Sequence, residues 1–220
     1  MTDDSRVGVI FDMDGVLIDS ARPHFQSWAQ LAEECGGSVT QDQFAATFGR
    51  QNRDIVPVLF GKVSETRMHE LADRKEEIYR DLVRDAPPIV DGACELVRSL
   101  HAAGVLLAVG SSGPRPNIDL VLDAMGAKEL ISVIVSGDDV TRGKPDPQVF
   151  SLACGRLGIS SNRCVVVEDA PAGVTAAHAA GIAAVAVLIH HPADAFEEVE
   201  GVVQSLSDLS VEKLVSLAVQ

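Results

Sequence analysis

Apolar residues gather into five short runs rich in β-branched side chains, at residues 7–11, 106–109, 133–135, 165–167 and 184–188. Runs this short that are apolar at every position suit strands buried on both faces. Around them, at 91–103, 116–125, 147–157 and 172–180, apolar residues recur every three or four positions and predict helices. The tail, 211–219, predicts one more. Strand and helix alternate, so the expected class is α/β, a doubly wound and mainly parallel sheet with right-handed crossovers.

The stretch 19–87 breaks this alternation, because its patterns at 24–34, 41–48, 53–60 and 65–84 are all helical. Turns fall at Gly36-Gly37 and near Gly61. Phe25, Trp28, Leu31 and Ala32 make one apolar face, and Leu71, Ile78 and Leu82 make another. The expectation is a core domain of residues 1–18 and 88–220 with an α-helical domain inserted at 19–87. Pro87-Pro88 suits a stiff second connection. An insert that directly follows the first strand lies over the strand C-termini, where it can exclude water and supply substrate contacts.

At 220 residues and 46% hydrophobic, the chain can bury a good core. Its apolar runs are too short to span a bilayer. The start, Met1 to Arg6, is polar and acidic, unlike a signal peptide. Cys35, Cys94, Cys154 and Cys164 are widely spaced and form no C-x-x-C, which suits reduced structural thiols in a cytoplasmic protein. A formal net charge of −14 argues against nucleic acid and anionic membrane as partners. Any phosphate site must then be locally positive.

Four segments carry chemistry. The first run ends in Asp12-Met13-Asp14-Gly15. Two carboxylates at i and i+2 face the same side of an extended chain and repel unless a cation, proton or donor lies between them. The run at 106–109 leads into Gly110-Ser111-Ser112-Gly113, a turn that can offer a hydroxyl and backbone N–H groups to phosphate or can simply cap a helix. In Gly143-Lys144-Pro145-Asp146-Pro147 the prolines stiffen the loop, so Lys144 becomes a positioned charge rather than a freely solvated one. The run at 165–167 ends in Glu168-Asp169, with Gly173 beyond. Hard oxygen ligands on adjacent strand ends suit Mg²⁺.

Taken in order, these segments resemble the haloacid dehalogenase superfamily along essentially the whole chain. The second aspartate, Asp14, marks its phosphoryl-transfer branch. The stretch Asp14 to Ser20, with His24-Phe25 and Trp28, is similar to the β-phosphoglucomutase group of phosphatases and mutases. The resemblance implies a Rossmann-like core with a small helical cap. It also implies Asp12 as nucleophile, Asp14 as general acid and base, and Ser111 and Lys144 as phosphoryl holders. Mg²⁺ would be held by Asp12, the Asp14 main-chain carbonyl and Asp169, with Glu168 bound directly or one shell out. In the cap it points to His24 and Lys75, and to Arg50 or Arg53, for the substrate's far end. Mutases of the group carry further polar residues after the motif serine. Here Ser112 is followed by Gly113, and Arg115 is the available substitute. The expected function is therefore a monomeric phosphatase of small phosphorylated metabolites such as sugar phosphates. The alternative is a mutase interconverting β-glucose 1-phosphate and glucose 6-phosphate. A non-catalytic phosphate-binding protein would be expected to lack Asp12 or Asp14. A receiver domain would be much shorter and would have no helical insert.

Overall fold

The computed structural model describes residues 6–47 and 49–219. Six strands form one parallel sheet: β1 (Gly8–Phe11), β2 (Leu106–Gly110), β3 (Val133–Val135), β4 (Cys164–Glu168), β5 (Ala183–Val187) and β6 (Gly201–Val203), in the order β3-β2-β1-β4-β5-β6. The described helices are α1 (Ala21–Glu34), α2 (Gln41–Ala45), α3 (Asn52–Phe60), α4 (Glu65–Val83), α5 (Ala93–Ala102), α6 (Arg115–Met125), α7 (Gln148–Leu157), α8 (Pro171–Ala179) and α9 (Val211–Leu217). The chain divides into two compact units, one running to Asp19 and resuming at Ile89, the other spanning Ser20–Pro88. No described helix is long and apolar enough to cross a membrane.

Within the first unit, successive strand residues point to opposite faces, as the pleat requires. Val9, Phe11, Leu107, Val109, Val165 and Val167 pack with α5, α6 and α9. Ile10, Ala108, Val166, Ala184 and Ala186 pack with α7 and α8 on the other side. The sheet is thus covered on both faces, which explains runs that are apolar throughout. β6 escapes a hydrophobicity reading. It has three residues, one of which is Val202 at 42% exposure, so it carries little apolar signal at the sheet edge.

The register positions the site. Phe11 of β1 lies level with Val109 of β2 and Val167 of β4. One step further along, Asp12 and Glu168 emerge side by side, with Ser111 just beyond the end of β2. Strand order reverses between β1 and β4, and ligands of doubly wound sheets bind at such a reversal.

In the second unit, Trp28, Leu31 and Ala32 of α1 pack against Leu71 and Ile78 of α4, with Phe44, Ile55 and Val56 from α2 and α3. Arg74 of α4 forks onto Glu34 at the end of α1, Nε to Oε2 at 3.0 Å and Nη2 to Oε1 at 2.8 Å. The buried stripe of α4 differs from the expected one. Leu82 is 44% exposed, and Lys75, Glu76, Tyr79 and Val83 are buried instead. Helix α2 ends at Ala45, and Phe48, where its pattern was expected to stop, lies outside the described residues.

Candidate active site

Three carboxylates and one ammonium meet where β1 and β4 end. Asp12 continues the ladder one residue past β1, its N–H donating to Val167 O at 2.9 Å. Lys144 Nζ lies 2.8 Å from Asp12 Oδ1 and 2.7 Å from Glu168 Oε1. The Lys144 side chain is 6% exposed and its ammonium sits 4.8 Å from the centre of the Phe150 ring. The loop carrying it contains a cis Lys144-Pro145 peptide. The other Glu168 oxygen, Oε2, accepts the N–H groups of Asp169 and Ala170, both at 2.7 Å. Glu168 therefore spends both oxygens on fixing Lys144 and the turn after β4. Gly173 leaves room for it, since a Cβ there would stand 1.7 Å from Glu168 Oε1.

Asp169 is differently placed. Its Oδ2 is buried with no hydrogen-bond partner. Gly15, at φ +80°, approaches so closely that a Cβ would lie 1.9 Å from that oxygen. Ligand oxygens of Asp12, Glu168 and Asp169 all lie within 4.8 Å of one another. Three carboxylates facing one ammonium leave two negative charges uncompensated. Burial pushes Asp12 up to about 7, and Glu168 and Asp14 add repulsion that Lys144 only partly offsets. Burial, then Glu168 and Asp12, raises Asp169 well above the usual carboxylate range. Burial alone would lower Lys144, but Asp12 and Glu168 hold it above the ordinary lysine value. Hard oxygens, an orphaned carboxylate atom and the missing positive charge all fit a divalent cation.

The sign of the pH effect follows. A carboxylate whose folded pKa is raised keeps its proton longer folded than unfolded. Stability contributed this way is complete below about 4 and is lost as pH rises toward about 7, the Asp12 value. His190, which burial holds below its ordinary range, pulls the other way. The clean measurement is therefore a difference between proteins. In chelator, the melting temperature of wild type minus that of Asp12→Asn should fall between pH 5 and 7.5. Added Mg²⁺ should stabilise wild type most at the upper end. A difference that rises with pH would contradict the charge balance described.

Ser111 is fully buried. Its N–H donates to Val135 O at 3.0 Å, and its Oγ accepts the Gly113 N–H at 3.0 Å. A Cβ at Gly113 would lie 3.6 Å from Asp14 Oδ2, so this turn and the Asp14 loop adjoin. Asp14 is half-buried. Its loop is tied by Gly15 N–H to Ile18 O at 2.8 Å. Gly137, which the sequence did not single out, locks the turn from outside. It donates to Gly113 O at 2.8 Å, and a Cβ there would stand 2.3 Å from the carbonyl oxygen of Ser112. Ser112 is half-buried. Arg115 is exposed and lies along its own helix, Nε to Asp119 Oδ2 at 3.1 Å, while its N–H donates to Asp138 at 3.1 Å. Its guanidinium is engaged there and not with the acidic group.

The second unit holds its own charged cluster. Lys75, 2% exposed, places Nζ 2.7 Å from His24 Nδ1 and 2.8 Å from Glu76 Oε1. An ammonium only donates, so Nδ1 accepts and the ring proton lies on Nε2. His24 stacks on Tyr79 with centroids 4.1 Å apart, and Trp28 and Tyr79 flank the ammonium at 5.4 and 5.3 Å. Asn52 donates to Glu76 Oε1 at 2.7 Å. Burial would raise Glu76, but Lys75 and this hydrogen bond bring it below the ordinary range. Glu76 and Tyr79 were not anticipated, and only the helical phase of α4 could have found them; Asn52, which opens α3, carries no signal of its own. Arg50 and Arg53 are both exposed, in the turn before α3 and in its first turn.

A sequence profile of the family described as haloacid dehalogenase-like hydrolase matches residues 9–187. Validoxylamine A 7′-phosphate phosphatase of Streptomyces hygroscopicus subsp. limoneus is 33% identical over 200 residues, covering 91% of this chain and 94% of that protein. The phosphorylated carbohydrates phosphatase of Thermotoga maritima is 32% identical over 208 residues, covering 91% and 87%. The crystal structure of β-phosphoglucomutase from Clostridium difficile superposes with a TM-score of 0.87 at 22% identity over 97% of each chain, a likeness of fold.

Proposed function

Since the chain belongs to the haloacid dehalogenase-like hydrolases, we propose that it is a Mg²⁺-dependent phosphatase of small phosphorylated metabolites, sugar phosphates foremost. The observation that carries this is the uncompensated double negative charge around Asp12, Glu168 and Asp169, beside one fixed ammonium. Relatives whose names record phosphorylated carbohydrate or validoxylamine 7′-phosphate as substrate support the substrate class.

In this mechanism an Asp12 carboxylate oxygen attacks phosphorus and the bond to the substrate's alkoxide breaks, giving an aspartyl phosphate. Asp14 gives its proton to the leaving alkoxide. It then takes one from the water that attacks phosphorus in the second step, as the bond between phosphorus and the Asp12 oxygen breaks, inorganic phosphate leaves and the Asp12 carboxylate is restored. Asp12 and Asp169, with the Asp14 main-chain carbonyl, would hold Mg²⁺, which supplies positive charge against the phosphoryl oxygens. Lys144 orients Asp12 through its 2.8 Å contact and adds charge on the same side. Glu168 keeps Lys144 in place. Ser111 and the N–H groups of its turn receive phosphoryl oxygens. His24, Lys75 and one of Arg50 and Arg53 are assigned to recognition of the non-reacting part of the substrate.

Hydrolysis is favoured over the mutase alternative by the turn after Ser111. Gly113 has no side chain, and Arg115 is held by Asp119. Neither supplies the second phosphate grip a bisphosphate intermediate needs. The test follows inorganic phosphate and glucose 6-phosphate together, from β-glucose 1-phosphate with a trace of bisphosphate and from a panel of sugar phosphates. Phosphate release from several substrates without isomerisation, lost in excess chelator, is the expected result. Rapid bisphosphate-dependent isomerisation with little free phosphate would overturn it.

A further inference from the structure

Two of the four cysteines meet inside the core unit, away from the acidic group. Cys154 lies on α7 and Cys164 opens β4, and their Sγ atoms are 3.0 Å apart, both as free thiols. Non-bonded heavy atoms rest about 3.5–4 Å apart. A disulfide brings sulfurs to about 2.05 Å. The pair therefore stands inside ordinary contact, about 1 Å short of a bond. Both are buried in closely packed surroundings. A Cβ at Gly8, the register partner of Cys164, would already lie 3.2 Å from Cys164 Sγ and 2.4 Å from Ile159 Cδ1.

We infer that Cys154 and Cys164 form a peroxide-oxidisable dithiol whose disulfide ties α7 to the start of β4. A shared metal ion is the competing use of two thiols, and the distance disfavours it. Tetrahedral Zn²⁺ with bonds of about 2.3 Å would hold its sulfurs about 3.8 Å apart. Among the described residues the one group of three or more metal-binding side chains is the acidic one.

A path for a small oxidant exists. Cys164 lines a cavity of about 330 Å³ together with Asn162, His178, Gly181 and Glu200. Asn162 and Gly181 are exposed, and His178 Nε2 pairs with Glu200 Oε2 at 3.1 Å, so the rim is open and polar, while Ile182, Ala183 and Leu217 make the rest of the lining apolar. Hydrogen peroxide is close to water in size and polarity. The hydrogen bond between the thiols pulls Cys154 below the ordinary thiol range and pushes Cys164 above it. The first proton lost belongs to the pair, and either sulfur can carry the thiolate.

The chemistry balances with peroxide as oxidant. A thiolate sulfur attacks one peroxide oxygen, the O–O bond breaks and hydroxide leaves, giving a sulfenic acid. The second sulfur attacks the first, the S–S bond forms, the S–O bond breaks, and hydroxide leaves again. The two thiol protons convert both hydroxides to water. Two sulfurs have each lost one electron and peroxide has gained two.

The tie would sit at the opposite end of β4 from Glu168, four residue steps or about 13 Å away. The experiment therefore needs no activity assay. Full-length protein is treated with a small molar excess of hydrogen peroxide, alkylated, and peptide-mapped with and without prior reduction. The expected result is an intramolecular Cys154–Cys164 crosslink, a melting temperature several degrees above the reduced protein, and full reversal by dithiothreitol. Cys154→Ala should show no such rise, and wild type carries the test if that variant folds poorly. Recovery of both cysteines as free thiols or sulfinic acids, or crosslinks to Cys35 or Cys94, would overturn the inference. A crosslink with an unchanged or lower melting temperature would reject it as a tie.

Discussion

Asp12→Asn is expected to abolish turnover, by ~10⁴-fold or more, while leaving the protein folded. The amide is nearly isosteric with the carboxylate but cannot form the aspartyl phosphate. Loss of folding is not expected, because Asp12 is a buried charge repelled by Glu168 and Asp14 in an over-acidic group. Removing it leaves Lys144 still bound to Glu168 at 2.7 Å. The metal-free variant should therefore melt at or above the wild-type temperature near pH 7.5. Phosphate release by purified protein and thermal melts in chelator check the two halves separately. Retained turnover would remove Asp12 from the role of nucleophile.

Lys144→Met should be the most damaging single change to both stability and rate. Its ammonium is the one positive side chain seen to bridge Asp12 and Glu168, and the side chain is 6% exposed. Without it the carboxylates remain buried and unpaired, a loss of ~3–5 kcal/mol by analogy with broken buried ion pairs. The rate should fall by ~10²–10³, as when one positioned donor is removed from a charged transition state. Lys144→Arg should rescue little, because a larger planar guanidinium does not fit the buried place of a compact ammonium held 2.8 and 2.7 Å from two carboxylates. Mg²⁺ should restore part of the lost melting temperature. Denaturant unfolding with and without Mg²⁺, beside steady-state rates, reads both effects. A Lys144→Met protein as stable as wild type would mean that the charge bookkeeping at this site is wrong.

The core was legible in the sequence because strands buried on both faces leave dense apolar runs, and acids that follow such runs stand out. Asp12, Glu168 and Asp169 stand out this way; register sets Asp12 level with Glu168, and Asp169 follows it in the chain. The failures have equally physical causes. β6 has three residues at a sheet edge, with too little burial to leave a pattern. The buried cluster of α4 lies within Asp73-Arg74-Lys75-Glu76-Glu77, which looks solvated as a string. Only the helical phase shows that positions 75 and 76 turn inward beside 71, 78 and 79 while 74 and 77 turn out. The direction of Arg115 depends on Asp119, one helical turn on, and no motif records that pairing.

The strand order has a consequence for synthesis. β1 lies between β2 and β4, so its first partner begins at Leu106 and its second at Cys164. During translation β1 must wait for about a hundred residues before one edge can pair, and for longer before the other can. The residues of the helical unit, Ser20–Pro88, have all been made before β2 exists. The pairing of β1 with β4, and with it the gathering of the acids, waits until residue 169 has been made. A parallel sheet of such sequence-distant strands is a slow topology to assemble. The half-made chain carries an apolar strand, Gly8–Phe11, that keeps at least one edge unpaired until β4 arrives.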